Sequence, residues 1–264
     1  MKTWSLILAL CFGGWARAGR AEDFPRLIWQ DEFQGNTLDP MKWEIEVNAR
    51  GGGNNELQYY LTNNVTVRDD CLYLEARKEK YTGPEGTREF TSARLRSWNR
   101  GDWRFGRFEI RAKLPAGKGY WPAIWMLPTD KVYVGWPKSG EIDIMELIGH
   151  SSNVVHGTLH FANPQGRHTF QGTNTTLKAG SFADDFHVFS LEWRPGELRW
   201  FLDHQQYQIQ TNWPSGSGKF PAPFDQRFHL ILNLAVGGNW PGPPDEKTVF
   251  PQAMAVDYVR VYGK

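Results

Sequence analysis

The stretch that decides the reading is Glu141-Ile142-Asp143-Ile144-Met145-Glu146. It begins as an alternation of acids and isoleucines, the period-2 signature of a strand with one polar and one apolar face. The alternation then slips. Met145 stands where the next acid is due, and that acid arrives one residue late, at position 146. A β-bulge at Met145 resets the phase and turns Glu146 onto the face that already carries Glu141 and Asp143.

At about 3.3 Å per residue, such a strand sets the Cα atoms of Glu141 and Glu146 roughly 13 Å apart, and side chains leaning inward bring the carboxyls toward roughly 5–6 Å. That spacing suits a pair in which one carboxylate attacks a sugar and the other protonates the leaving oxygen, with retention of configuration. Acids crowded on one face resist full ionisation, so one holds its proton near neutrality, as a general acid must. A solvated acidic edge and a calcium site are the competing readings. Interleaved Ile and Met disfavour the first, and calcium ligands come more often from loops rich in Asn, Gly and backbone carbonyls.

Working outward, short alternating or apolar runs recur over Leu72–Arg77, Arg104–Leu114, Val154–Phe161, His187–Trp193, Leu198–Asp203, Phe228–Leu234 and Met254–Tyr262. Pro195-Gly196 and Asp203-His204 read as hairpin tips, and residues 115–119 as a loop. The last run alternates Val256, Tyr258 and Arg260 against Asp257, Val259 and Val261, which predicts two chemically different faces. Aromatic residues make up 14% of the chain, and 27 Gly with 16 Pro punctuate it, so strands and turns are favoured over helices. The expected fold is all-β, two packed antiparallel sheets in a single domain spanning 19–264.

Residues 1–18 read as a secretory signal: Lys2, an apolar run from Leu6 to Phe12, and Ala16-Arg17-Ala18 before the cut. The run is far shorter than the roughly 20 apolar residues of a membrane span, so the expectation is a secreted protein, extracellular or periplasmic, with no membrane partner. Cleavage takes Lys2 and Arg17 from the 30 basic residues and leaves 28 against 29 acids, a balance that offers nucleic acid no attraction. It also takes Cys11. Cys71 then has no intramolecular partner and is expected to be a small buried hydrophobe in its strand.

Glu141-Ile142-Asp143-Ile144-Met145-Glu146 resembles the active-site strand of glycoside hydrolase family 16, laminarinase branch, the endo-β-1,3-glucanases. Further matching stretches run along almost the whole mature chain: WQDEF (29–33), NNELQYY (54–60), YWPAIWMLP (120–128), HGTLHF (156–161), FHVFSLEW (186–193), ILNLAVGGNWPG (231–242) and VDYVRVY (256–262). The resemblance implies a jelly-roll β-sandwich with a concave cleft for an internal stretch of β-glucan. It implies Glu141 as nucleophile, Glu146 as acid/base and Asp143 as the helper that positions and tunes the nucleophile, with no cofactor for catalysis. Met145 fits the laminarinase, agarase and carrageenase branches, whereas lichenase-like relatives lack that residue. The same fold also serves as glucan-binding proteins that have lost these acids, and as transglycosylases.

Residue types alone leave other roles open. Trp121 and Trp125 are four apart and share one strand face, as sugar platforms or as core. Trp240 follows Gly237-Gly238-Asn239 in a loop, which favours the cleft. Asn54 either caps its glycine-rich turn or meets substrate, and the resemblance favours substrate. Arg94 resembles the family's cleft arginine, although an exposed strand position is the commoner fate of an arginine. His160 is either a satisfied structural histidine or a cleft group beside the acids, and it is assigned to substrate binding. Glu32 and Asp257 match positions from which relatives hold a structural calcium ion, too few ligands by themselves for a site needing six to eight oxygens. A monomer is the default.

Overall fold

The computed structural model describes residues 23–264, so the expected signal segment and Cys11 lie outside the described residues. Two large sheets pack face to face. The cleft sheet runs His168–Thr176, Val154–Ala162, Glu141–Glu146, Tyr120–Pro128, Phe228–Val236, Arg94–Arg96, Glu44–Ile45, with Asp102–Trp103 added beside Phe228–Val236. The outer sheet runs Gln205–Gln210, Glu197–Leu202, His187–Arg194, Gly106–Lys113, Gln252–Gly263, Cys71–Ala76, Val65–Arg68, and Arg26–Asp31 also pairs with its long final strand. Every pairing within these two sheets is antiparallel, and the architecture is a jelly-roll sandwich with an open cleft on one sheet. Among the described residues no helix is long and apolar enough to cross a membrane.

Alternation decides what faces inward. In Tyr120–Pro128 the even-numbered residues are buried, while Trp121, Ala123, Trp125 and Leu127 line the cleft. In Val154–Ala162, Val155, Leu159 and Phe161 are buried, and His156, Thr158 and His160 stand on the cleft side. From the outer sheet come Leu72, Leu74, Phe108, Ile110, Leu191, Trp193, Leu198 and Trp200, all buried in one continuous core. Burying such side chains contributes about 1.5–3 kcal/mol each before chain entropy is subtracted.

The acidic strand is irregular in the segment its sequence implies, although Met145, where the bulge is expected, keeps a regular partner in Ile124. Against Val154–Ala162 the register steps from Asp143↔Thr158 to Glu146↔His156, so three steps on one strand oppose two on the other. Against Tyr120–Pro128, Trp125 faces Asp143 and Ile124 faces Met145, which leaves Ile144 as the extra residue on that side. Ile144 and Met145 are both buried, and their apolar side chains anchor the irregularity in the core. Trp200, reaching across from the opposite sheet, donates its indole N–H to the carbonyl of Asp143 at 2.8 Å.

Two expectations need correction. Cys71 is half-buried rather than buried, because Leu72, Leu74 and Ala76 take the inward positions of its strand and Cys71 falls on the outer face. The final strand contains its own irregularity: Arg111 pairs with Tyr258 but Ala112 with Val256. Asp257 is the extra residue there, so Val256 joins Val259 and Val261 in the core and does not share a face with Tyr258.

Gly157 lies under this construction. A Cβ there would come within 2.5 Å of Trp200 Cδ1 and 2.7 Å of the Tyr207 hydroxyl. Gly157→Ala is therefore expected to displace Trp200 from Asp143 and to lower stability by about 1–3 kcal/mol, read by denaturant unfolding.

Candidate active site

Glu141, Asp143 and Glu146 open onto one cavity of about 980 Å³ on the face of the cleft sheet. The same cavity is lined by Asn54, Arg94, Trp121, Trp125, His160 and Trp240, so the structure brings together all the residues that the sequence assigns to substrate. Glu32 and Asp257 lie elsewhere, on the outer sheet side.

Each acid has its own partner. Trp136 donates its indole N–H to Glu141 Oε2 at 2.8 Å, and Trp121 donates to Glu146 Oε1 at 3.0 Å. Asp143 is only 2% exposed, and His160 Nε2 stands 3.1 Å from its Oδ2. Burial pushes the Glu141 carboxyl up to about 8, helped by the neighbouring Asp143 charge and opposed by His160, Trp136 and Arg94. Burial likewise raises Asp143 to about 8, with the Glu141 hydrogen bond pulling the other way. Glu146 is raised well above the usual carboxylate range, first by burial and then by repulsion from Asp143 and Glu141. The surroundings therefore separate the two glutamates: Glu141 has the larger set of groups favouring ionisation, and Glu146 is the better proton holder.

The flanks are built from aromatic and charged side chains. Trp125 donates to Asn233 Oδ1 at 2.7 Å, and the Arg94 guanidinium lies 4.9 Å from the Trp125 ring centre, with its Nε 3.2 Å from Glu46 Oε2. Arg94 is thus held inside the cleft and is not a freely exposed strand arginine. Trp240 meets Trp121 and His156 edge-on, at centroid distances of 5.6 and 4.9 Å. Asn54 is fixed through its backbone, whose carbonyl accepts from the Asn239 N–H at 2.8 Å. This bond ties the glycine-rich loop to the loop bearing Trp240. Glu56 supports the first loop from beneath, accepting from Gln58 Nε2 at 2.7 Å and from the Tyr60 hydroxyl at 3.0 Å.

Several cleft groups were not singled out by sequence reasoning. Trp136, 54% exposed, comes from the loop before the acidic strand, where residue type alone could not distinguish a surface aromatic from a site residue. His168 and the 65% exposed Phe170 come from the sheet's edge strand, whose sequence lacks a clean apolar face. Asn233 occupies a strand buried throughout, and only its polarity within an apolar run could have marked it.

Glu32 is engaged by Arg260 through two contacts of 2.8 Å, and Asp257 pairs with Arg111. Each carboxylate is paired with a guanidinium, and two carboxylates alone are too few for the six to eight oxygens of a calcium site. Glu141, Asp143 and His160 each offer an atom within 4.8 Å of the others. Their geometry is equally that of acids sharing protons with an imidazole.

A groove of aromatic side chains and polar anchors centred on half-buried Glu141 and Glu146, with buried Asp143 between them, defines a carbohydrate-cleaving hydrolase. The chain belongs to glycosyl hydrolases family 16, whose family model matches residues 52–260. It is 43% identical to a "Beta-glucanase" of Rhodothermus marinus over 99% of this chain and 94% of that protein. It is 39% identical to a "Glucan endo-1,3-beta-glucosidase" of Cryptopygus antarcticus, over 98% of this chain and 97% of that one. Among solved structures, the catalytic domain of an endo-1,3-beta-glucanase (laminarinase) from Thermotoga petrophila RKU-1 superimposes with a TM-score of 0.81. The identity is 41%, over 90% of this chain and 98% of that one.

The raised carboxyls also set a stability profile. A carboxyl whose folded pKa exceeds its unfolded value binds more protons when folded, so its stabilising contribution is present below the unfolded value, about 4.5, and is lost as pH rises toward about 8. Glu141→Gln removes that penalty. Its melting temperature is expected to exceed the parent's by about 2–5 °C at pH 8.5 and to differ little at pH 4, read by calorimetry.

Proposed function

We propose that the protein is a secreted endo-β-1,3-glucanase that cleaves internal glycosidic bonds with retention, and that it also accepts mixed-linkage β-1,3-1,4-glucan. The observation that carries this reading is the placement of Glu141 and Glu146 in one cleft with unequal surroundings. The names of the relatives support the β-1,3 linkage. The sequence of residues 1–18 supports export, with 19–264 as the catalytic domain acting as a monomer.

Glu141, ionised, attacks the anomeric carbon as Glu146 passes its proton to the glycosidic oxygen; the C–O bond to the leaving chain breaks as the bond to Glu141 forms. Glu146, now a carboxylate, takes a proton from water as that water attacks the same carbon from the side the leaving group vacated. Glu141 departs, Glu146 regains its proton, and the anomer is β once more. Asp143 shares a proton with Glu141 and tunes when the nucleophile ionises. Trp121, Trp125 and Trp240 offer flat apolar faces to the C–H sides of glucose rings, and Arg94 and Asn54 offer donors to hydroxyls.

A glucan-binding role without catalysis needs no acid trio, and Glu141, Asp143 and Glu146 are all present. Digestion of laminarin followed by proton NMR is expected to show the β-anomer first and mid-length oligosaccharides early. First release of the α-anomer would overturn retention, glucose as the sole early product would overturn endo action, and binding without new reducing ends would establish the binding reading. Glu141→Gln is expected to lower kcat by about 10⁴-fold or more while retaining laminarin binding by titration calorimetry.

A further inference from the structure

His160 and His168 sit on adjacent antiparallel strands, with His160 opposite Phe170 and His168 opposite Ala162. They are diagonal neighbours on one face, and His160 Nδ1 lies 2.9 Å from His168 Nε2. The ring centroids are 5.1 Å apart and the planes differ by 15°. A short N···N contact between nearly coplanar rings at that centroid separation is an edge-to-edge hydrogen bond along the nitrogen lone pair, not a stack of faces.

On its other side, His160 Nε2 faces Asp143 Oδ2 at 3.1 Å. That oxygen is buried and has no well-formed hydrogen bond. An unsatisfied buried carboxyl oxygen is costly, and when Asp143 is ionised His160 can satisfy it only if its proton is on Nε2. A neutral imidazole carries a single N–H, so something must hold the proton off Nδ1.

We propose that His168 is a positioning residue: its Nε2–H donates to His160 Nδ1, which fixes the His160 proton on Nε2 and directs it to Asp143. The proposal rests on the glycosidase reading of this cleft and adds a member to its proton network. Trp136 orients His168, with ring centroids 4.6 Å apart, and the same indole donates to Glu141. The contacts therefore close a ring from Glu141 through Trp136, His168 and His160 to Asp143.

The charged and titratable groups around this chain are Asp143, Glu141 and Glu146 on the acidic strand, His156 on His160's own strand, and Arg94, whose charge reaches Glu141. Burial and the neighbouring His160 both hold His168 below the ordinary histidine value, which keeps it neutral.

The test compares His168→Leu with His168→Gln, whose side-chain amide can still donate to Nδ1. His168→Leu is expected to lower kcat on laminarin about tenfold, the low end for an outer partner of a functional imidazole, with KM changed less than about twofold. Its acid limb is expected to move up by about half a pH unit, because Asp143 loses a dedicated donor. His168→Gln is expected to recover most of both. Imidazole ¹⁵N shifts of the unliganded protein need no substrate: they should report His160 protonated at Nε2, becoming a tautomer mixture in His168→Leu. An unchanged tautomer, or a leucine variant with parental kcat and acid limb, would overturn the proposal. Parental inactivity on laminarin with the tautomer shift present would instead count against the glycosidase reading alone.

Discussion

The active site depends on one irregular step in one β-ladder. Between Asp143 and Glu146 the acidic strand spends an extra residue against both neighbours, and that step turns Glu146 toward the cleft instead of into the core. The extra length is apolar where it must be, since Ile144 and Met145 are both buried. Trp200 secures the backbone from behind by bonding the carbonyl of Asp143. The hydrophobic layer therefore enforces the polar geometry in front of it, and the carboxylates inherit their positions from the packing of the sandwich.

That placement carries an electrostatic cost that the site uses. Three carboxyls on a partly dehydrated face cannot all ionise near neutrality, so burial and mutual repulsion keep protons in the cluster. Each glutamate accepts one indole N–H, Trp136 on Glu141 and Trp121 on Glu146, and the Arg94 charge near Glu141 helps to set the two apart. The tryptophans supply both aromatic faces to the cleft and the N–H groups that hold Glu141 and Glu146. Arg94 and Asn233 fix Trp125 in the same way, from above and at its edge.

Much of this was legible because strand chemistry has a period of two. The acid–isoleucine alternation and its slip revealed the bulge, and the spacing of Trp121 and Trp125 showed that they share a face. The final strand hid its bulge because Val256, Val259 and Val261 are punctuated by residues that either face could carry, so phase could not be read from polarity. Cys71 was misplaced because a cysteine suits either side of a strand, and its outward position follows only from Leu72, Leu74 and Ala76. Trp136 and His168 were invisible for another reason. Their roles exist only where a loop and an edge strand meet the acids in space, and no local period encodes that meeting.

The most direct measurement is a crystal structure of the protein after reaction with a β-linked 2-deoxy-2-fluoro glucoside bearing an activated leaving group. The account predicts a covalent bond from a Glu141 carboxyl oxygen to the anomeric carbon, with the Glu146 carboxyl on the same cleft face and within hydrogen-bonding reach of a water approaching that carbon. A sugar attached to any other residue, or Glu146 packed among the core side chains, would contradict it.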